Sequence, residues 1–344
     1  MSLKIAINGF GRIGRCVLRA IYERNLQNDI EVVAINELAD CETISYMLRY
    51  DSTHGRFLHD VNVEADCLTI TESTDKKHKI KILHQTQIED LDWASLGVDV
   101  VLECTGQFKN HEQLSAHLNQ GAKKVLLSQP GEADVDYTLI NGVNETGLNT
   151  AADSEHRIIS LGSCSTNAVL PIMVLLDEVY GIEKGVSTTI HSAMNDQPVI
   201  DAYASDLRKT RAAVTSIIPI DTALPKGIAR IMPQLDGKIE SIHLRVPTLN
   251  VSAMDLTLQL KKSCSLDEIN NLLDVSCEGK LKNLIGFSKE PHASVDFNHD
   301  SRSGIIDGTQ TKVSDGNLLK LLVWFDNEWA FANRMVDGIL KLKN

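Results

Sequence analysis

The sequence has no excess of basic residues. Its 344 residues include 34 lysines and arginines against 46 aspartates and glutamates, which gives a formal net charge of -12. Nucleic-acid backbones and anionic membrane surfaces are bound by dense lysine and arginine, so this balance argues against both as partners. A local basic pocket for one phosphate group is still compatible with it.

Long apolar runs are also missing. The longest, residues 168–176, falls far short of the roughly 20 residues that a membrane-spanning helix needs. The first residues, Met-Ser-Leu-Lys-Ile-Ala-Ile, lead directly into a strand-like pattern, without the basic, apolar and small-residue regions of a signal peptide. We therefore expect a cytoplasmic protein that does not associate with membranes.

The seven cysteines, at positions 16, 41, 67, 104, 164, 264 and 277, show no C-x-x-C pair and no metal-ligand spacing. In a chain of this size the pattern indicates free thiols in a reducing compartment, and it predicts no metal site. Most of these thiols should be inert, and one is a candidate nucleophile.

The patterns that are present indicate two domains. Strands at residues 4–8 and 31–36 flank a helical pattern at 12–22, and further strands follow at 99–104, 124–128 and 157–161. This alternation predicts an α/β fold with a doubly wound parallel sheet of the Rossmann type over residues 1–162.

The pattern of apolar and polar residues changes in the second half of the chain. A helix at residues 168–180 precedes long alternating segments at 186–192, 239–247 and 255–260, which indicate an α+β domain with a mainly antiparallel sheet over residues 163–326. The last segment holds a strand at 319–325 and an amphipathic helix at 329–342. We expect residues 327–344 to return to the first domain and complete it.

The turn after the first strand carries a G-x-G-x-x-G pattern, formed by Gly9, Phe10, Gly11, Arg12, Ile13 and Gly14. Such glycines permit a tight turn and let the backbone approach a pyrophosphate at the helix N-terminus. Glu37 lies roughly 20 residues further on, where a carboxylate binds ribose hydroxyls and repels a 2′-phosphate, so NAD is favoured over NADP. The alternatives are a ligand-free turn and an ordinary solvated glutamate.

Cys164 is the candidate nucleophile. It lies in Ser-Cys-Ser-Thr-Asn, residues 163–167, between a strand and an apolar helix, where the helix dipole favours a thiolate. His191 ends a β-branched apolar run and could act as its general base. The alternatives are a buried structural cysteine and one of eleven core or surface histidines. The sequence does not show that the two residues touch.

Downstream side chains offer an anion site, since arginine suits bidentate phosphate binding. The candidates are Arg208, Lys209, Arg211, Thr222 and Arg245. Each alone is more often a surface charge. Together they would give this acidic chain a place for a phosphorylated substrate.

Segments across nearly the whole chain resemble the glyceraldehyde-3-phosphate dehydrogenase superfamily. They are residues 7–15, 50–57, 103–106, 163–167, 245–248, 326–329 and 332–334. The resemblance implies an NAD-dependent aldehyde dehydrogenase and a homotetramer, with Cys164 as nucleophile, His191 as base and Asn327 on the nicotinamide amide. It adds Ser128 to the cofactor contacts. It also implies that the small phosphorylated aldehyde substrate is held by Ser163, Ser165, Asp196, Arg208, Thr222 and Arg245.

Other segments, at residues 35–40, 191–197, 199–203 and 294–300, look more like the branch that oxidises erythrose 4-phosphate, a step toward pyridoxal phosphate. Met194 stands where glycolytic members usually have a threonine that holds the substrate phosphate, and Ala223 stands where they have a glycine beside inorganic phosphate. A methionine cannot donate a hydrogen bond. These two residues favour hydrolysis of a Cys164 thioester, here to 4-phosphoerythronate.

The chain also departs from both branches. Leu161 and Gly162 replace a usual Asn-Ala pair, Ser165 replaces a threonine, Ala168 a cysteine and Ala330 a glycine. None of these changes removes a catalytic atom. The alternatives are therefore a phosphorylating glyceraldehyde-3-phosphate dehydrogenase and, more remotely, an inactive nucleotide sensor that keeps the fold; the presence of both Cys164 and His191 argues against the sensor.

Overall fold

The computed structural model describes residues 2–149 and 156–343, and it separates them into two units. The first unit is drawn from Met1–Leu139, Asn144–Gly162 and Ala332–Asn344, and the second from Ile140–Val143 and Ser163–Phe331. In this division residues 327–331 fall in the second unit, and residues 332–344 fall in the first. None of the described helices is long and apolar enough to cross a membrane.

The first unit combines a large sheet with flanking helices. Its described strands and helices are β1 (Leu3–Asn8), α1 (Arg12–Glu23), β2 (Ile30–Asn36), α2 (Cys41–Arg49), β3 (Tyr50–Asp51), β4 (Gly55–Arg56), β5 (Asp60–Glu64), β6 (Cys67–Thr71), β7 (Lys77–Leu83), α3 (Trp93–Leu96), β8 (Val100–Glu103), α4 (His111–Asn119), β9 (Lys124–Leu127), β10 (Tyr137–Thr138) and β11 (Ile158–Ser160).

The strands of the large sheet follow the order β10-β11-β9-β8-β1-β2-β7-β6-β5. Every pair from β10 to β7 is parallel, whereas β6 pairs antiparallel with both β7 and β5. Central β1 is apolar because it is covered on both faces, and Ile5, Ala6 and Ile7 are fully buried. The predicted parallel Rossmann-type sheet is confirmed, and the antiparallel edge formed by β5 to β7 is an addition to it.

The second unit contains a mainly antiparallel sheet. Its described strands and helices are α5 (Cys164–Tyr180), β12 (Ile182–His191), β13 (Ile218–Ile220), α6 (Leu224–Ile231), β14 (Ile239–Arg245), β15 (Ser252–Leu260), α7 (Leu266–Glu278), β16 (Ile285–Ser288), β17 (Gly304–Asp307), β18 (Lys312–Ser314), β19 (Leu318–Phe325) and the first turn of α8 (Trp329–Lys341).

The sheet order is β13-β14-β12-β15-β19-β17-β16, and β18 also pairs with β19. The β12–β14 and β16–β17 pairs are parallel and the remaining pairs are antiparallel. Helix α5 packs on this sheet with residues 168–173 fully buried, beside the apolar sides of β15 and β19. The α+β prediction for this region is confirmed.

Candidate active site

Cys164 is the first residue of α5, four residues before the helix start that we expected from the apolar run. The helix begins here because Ser163 caps it. The Ser163 hydroxyl accepts from the Thr166 backbone N–H at 3.1 Å, and the Thr166 hydroxyl accepts from the Ser163 N–H at 2.8 Å. This reciprocal capping box fixes Cys164 at the positive end of the helix.

His191 ends β12 and faces Cys164. Its Nε2 lies 3.9 Å from the Cys164 Sγ, and its Nδ1 lies 2.8 Å from the backbone oxygen of Ser192. A carbonyl oxygen only accepts, so Nδ1 carries the hydrogen and Nε2 keeps its lone pair. The unprotonated nitrogen of a nearly fully buried imidazole therefore points at the thiol.

Burial dominates the electrostatics of this pair. It raises the pKa of Cys164 to about 11, against hydrogen bonds from the Ser165 side chain and the first turn of α5 that lower it. Burial, with the positive charge of Arg245, also lowers the pKa of His191, although the Ser192 carbonyl raises it. Both shifts favour a thiol and a neutral imidazole over an ion pair. Desolvation of the thiol thus outweighs the hydrogen bonds at the helix terminus that favour a thiolate.

Arg245 is a buried cation next to His191, since the two residues are register partners on β14 and β12. Its Nη1 donates to Asp196, whose other oxygen accepts from Lys209 Nζ at 2.9 Å. Although burial opposes it, these two hydrogen bonds lower the pKa of Asp196. The buried Arg245 Nε has no partner among the described atoms, so a donor is left over for a bound anion.

The other predicted substrate contacts are less closely grouped around Cys164. Ser165 Oγ lies 4.0 Å from the Cys164 Sγ. Arg208 is exposed on a one-turn 3₁₀ helix, Leu207–Thr210, and the Thr222 hydroxyl accepts from the Leu224 N–H at the start of α6. No described contact joins Arg208 or Thr222 to Cys164.

Asn327 is held by two hydroxyl groups. Its side-chain oxygen accepts from Ser192 Oγ at 2.8 Å and from Ser252 Oγ at 2.9 Å, while Ser252 Oγ in turn accepts from the Ser192 N–H. Both hydroxyl groups thus donate to the Asn327 side-chain oxygen. This fixes the orientation of the amide and leaves its NH₂ group as a donor for another partner. An amide fixed in this way can recognise a carboxamide oxygen. Sequence reasoning missed the two serines that orient it.

The glycine turn in the first unit fits a dinucleotide. Gly9 has φ +90°, and a Cβ there would lie 2.7 Å from the Thr105 backbone nitrogen. A Cβ on Gly14 would lie 2.4 Å from the Gly9 oxygen, whereas one on Gly11 meets no described atom within 4 Å. Gly9 and Gly14 therefore shape the turn, and Gly11 leaves open space in front of the α1 N-terminus, where a pyrophosphate fits.

The remaining cofactor candidates surround this turn. The Glu37 carboxylate accepts from the Phe10 N–H at 2.9 Å, so it lies against the turn as a ribose-binding carboxylate should. Arg12 is paired with Asp51 and Ile13 is half-buried in α1. Ser128 follows β9, at the carboxyl edge of the sheet where ligands bind in doubly wound folds.

Two family models match most of the chain. Residues 3–111 match the model described as glyceraldehyde 3-phosphate dehydrogenase, NAD binding domain, and residues 163–327 match glyceraldehyde 3-phosphate dehydrogenase, C-terminal domain. The chain belongs to the glyceraldehyde-3-phosphate dehydrogenase superfamily. It is accordingly an NAD-dependent oxidoreductase of a phosphorylated sugar aldehyde, and NAD is its cofactor.

One neighbour of His191 was not singled out from the sequence. The ring of His243 stacks on His191 with centroids 4.8 Å apart and an interplanar angle of 26°. Burial, followed by the charges of His191 and Arg245, lowers the pKa of His243 to about 3. The β12–β14 register that places His243 here depends on a long-range strand pairing, which no local sequence pattern specifies.

Proposed function

We propose that Cys164 attacks the aldehyde carbon and that His191 serves as its base. The observation that carries this proposal is the 3.9 Å approach of the His191 Nε2 lone pair to the Cys164 Sγ at a capped helix N-terminus. As the S–C bond forms, the thiol proton moves to Nε2 and then to the former carbonyl oxygen. The Cys164 backbone N–H helps to hold that oxygen while it is charged.

His191 then removes the hydroxyl proton of the hemithioacetal while the C–H bond at the same carbon breaks and its hydrogen leaves with the electron pair, so that a thioester forms on Cys164. NAD, when bound, supplies the two-electron acceptor for this oxidation. Asn327 would orient the carboxamide of the cofactor, Glu37 its adenosine ribose, and the glycine turn its pyrophosphate. Arg12 and Ser128 complete the cofactor contacts that we propose.

We further propose that water cleaves the thioester and that the substrate is D-erythrose 4-phosphate, which gives 4-phosphoerythronate. Water adds to the thioester carbon, the C–S bond breaks, and the thiol regains a proton. The support is local: Met194 offers no side-chain hydrogen-bond donor, and Ala223, the N-cap of α6, carries a Cβ where the glycolytic members have a glycine. Ser163, Ser165, Asp196, Arg208, Thr222 and Arg245 are the proposed substrate contacts.

A phosphorylating glyceraldehyde-3-phosphate dehydrogenase is the second candidate, because both family descriptions carry that name. The unpartnered Nε of Arg245 is compatible with either substrate. A non-catalytic sensor is disfavoured by the Cys164–His191 geometry.

We also propose a cytoplasmic homotetramer, which light scattering would report as four times the mass of one chain.

A side-by-side comparison separates the two enzymes. We expect kcat/KM to be higher for erythrose 4-phosphate than for glyceraldehyde 3-phosphate, and to be independent of added inorganic phosphate. The product with saturating phosphate should be the free acid. Accumulation of an acyl phosphate, or a strict phosphate requirement, would assign the chain to the phosphorylating branch instead.

A further inference from the structure

Cys41, Asp66 and His84 meet on the first unit although they are far apart in the sequence. Cys41 is the first residue of α2, Asp66 lies in the turn between β5 and β6, and His84 directly follows β7. The Cys41 Sγ, a carboxylate oxygen of Asp66 and a ring nitrogen of His84 all lie within 4.8 Å of one another. Three different donor atoms thus converge on one point.

The orientation of His84 is set by a group outside this cluster. Its Nδ1 lies 2.8 Å from the backbone oxygen of Glu37, so Nδ1 carries the hydrogen and Nε2 keeps a lone pair. That lone pair lies 3.8 Å from the Cys41 Sγ. Histidines that bind a metal typically donate their second ring nitrogen to a backbone carbonyl or a carboxylate in this way.

The spacing matches a tetrahedral zinc site. Bond lengths of about 2.3 Å to sulfur and 2.0–2.1 Å to nitrogen place those two ligand atoms roughly 3.5 Å apart. The observed Sγ–Nε2 separation of 3.8 Å therefore needs only a small adjustment. Asp66 is held next to this pair by its backbone oxygen, which accepts from the Ile82 N–H of β7 at 2.7 Å.

We propose that Cys41, Asp66 and His84 form a binding site for a thiophilic divalent cation, with zinc as the best fit. Sulfur, nitrogen and oxygen donors together suit zinc, whereas calcium and magnesium take oxygen ligands. Cys41 is half-buried and the other two side chains are exposed, so the ion has an entry path and a fourth position for water. Our expectation of no metal site was based on the spacing of residues along the sequence. The three proposed ligands are far apart in the sequence and come together only in the folded chain.

Metal binding is best tested in the full chain carrying Cys164→Ser, which removes the thiol next to His191. After chelator treatment the protein is titrated with Co²⁺ and then with Zn²⁺. We expect one Co²⁺ per chain, a thiolate-to-cobalt charge-transfer band, d–d bands of a four-coordinate ion, and displacement of the cobalt by zinc.

Substitutions in the same background test the ligand set. Cys41→Ser, Asp66→Asn and His84→Gln should each weaken zinc binding at least about tenfold. Cys67→Ser is the matched control, because this thiol adjoins Asp66 in sequence without belonging to the cluster, and it should keep the affinity. Thermal melting and NAD binding verify that each variant is folded.

Three results would overturn the site: no charge-transfer band with cobalt, zinc affinity unchanged in all three ligand variants, or zinc affinity lost in Cys67→Ser. Asp66→Asn keeps the proposal open to refutation if a Cys41 variant misfolds, because Asp66 is exposed and its substitution preserves side-chain size.

Discussion

At the residue scale, the reactivity of Cys164 depends on where one proton can go. Burial raises the pKa of the thiol, and the tautomer fixed by the Ser192 carbonyl leaves His191 Nε2 as its acceptor. Attack by sulfur and proton transfer to Nε2 are therefore coupled, and the helix terminus stabilises the resulting ion pair. In the proposed mechanism the thiolate therefore forms only as the sulfur attacks the aldehyde.

Replacing His191, the proposed base, tests whether it activates the thiol. In His191→Asn the thiol has no proton acceptor beside it and must ionise by itself, so its alkylation by iodoacetamide should require a higher pH than in the parent. At neutral pH the variant should react more slowly than the parent, and kcat should fall with it. Equal alkylation rates in both proteins at neutral pH would show that His191 does not activate the thiol.

His243 should influence acid stability. Its pKa is lowered from 6.5 to about 3, so between these values the unfolded state binds a proton that the folded state refuses. This contribution to the free energy of unfolding is fully present above pH 6.5 and is lost as the pH falls toward 3. His243→Phe keeps a stacked ring without a titrating group.

We expect His243→Phe to flatten the decline of melting temperature between pH 6 and pH 4 relative to the parent. Unfolding by heat, followed by circular dichroism across this range, measures it. The acidic limb of kcat/KM should stay in place, because His243 is neutral there and His191 alone titrates as base. A limb that moves with this substitution would assign the catalytic pKa to the histidine pair.

At the element scale, α5 serves two purposes through its first turn. Ser163→Ala removes the capping box and should lower the free energy of unfolding by about 0.5–2 kcal/mol. It should also displace Cys164, and a shift of this kind can reduce kcat/KM roughly a hundredfold. Denaturant unfolding and steady-state kinetics measure the two effects.

Helix α7 offers a matched control, since Ser265 and Glu268 form the same kind of capping box. Ser265→Ala should cost a similar free energy of unfolding and leave kcat/KM unchanged. If the two variants lose activity in parallel, the loss follows from global stability, and the position of Cys164 on α5 is not its cause.

Substitutions at different glycines of the β1–α1 turn should affect stability and cofactor binding separately. Gly11→Ala meets no described atom, so stability should be unchanged while the Kd for NAD rises at least about tenfold, or roughly 1.4 kcal/mol. Gly9→Ala forces a side chain with φ +90° against the Thr105 backbone, and it should lower the melting temperature. Calorimetric titration and thermal melting measure these effects. Unchanged NAD affinity in Gly11→Ala would remove the pyrophosphate from this turn.

Elements with a strong local pattern could be predicted from the sequence. Strands β1 and β2 are central in the sheet and buried on both faces over their last residues, and their sequences form nearly continuous apolar runs. Strand β7, Lys77–Leu83, has an exposed charged face and lies between β2 and the antiparallel strands β6 and β5 that end the sheet, so its sequence shows no such run. The 168–173 core of α5 is evident from its apolar run, whereas the start of the helix depends on the hydrogen bond that the Ser163 hydroxyl accepts from the Thr166 N–H.

The sequence indicates which residues are candidates for the site, but it does not show which of them contact one another. Cys164 and His191 carry chemistry that their residue types and flanking patterns indicate, but their approach depends on the packing of β12 beside α5. His243, Ser192 and Ser252 act through side-chain geometry across strand pairs. Those contacts arise from long-range register, to which no short sequence window has access.

At the scale of the whole molecule, α8 makes the first unit discontinuous. Met335, Val336 and Ile339 are fully buried, and Arg24 donates to the Asn333 backbone oxygen and the Asp337 carboxylate. A Cβ on Gly338 would contact Leu161 and Leu126. Burial of each large apolar side chain contributes roughly 1.5–3 kcal/mol, so this helix is a structural part of the NAD-binding unit.

Removal of residues 332–344 tests this assignment. The shortened chain should lose NAD binding and expose apolar surface, because the partners of Met335, Val336 and Ile339 become accessible to water. Calorimetric NAD titration and dye binding measure the two effects. A truncated chain that still binds NAD with the parent affinity would make α8 dispensable.

The same discontinuity sets an order of events during translation. Residues 332–344 leave the ribosome only after the second unit has been synthesised, which at about 5–20 residues per second takes on the order of ten to thirty seconds. Throughout that interval α8 is missing from the nascent NAD-binding unit, and the apolar surface that α8 later covers is exposed to water. The growing chain should therefore be a chaperone client, and synonymous codons that slow translation of residues 163–331 should lower the yield of folded protein without altering a single amino acid.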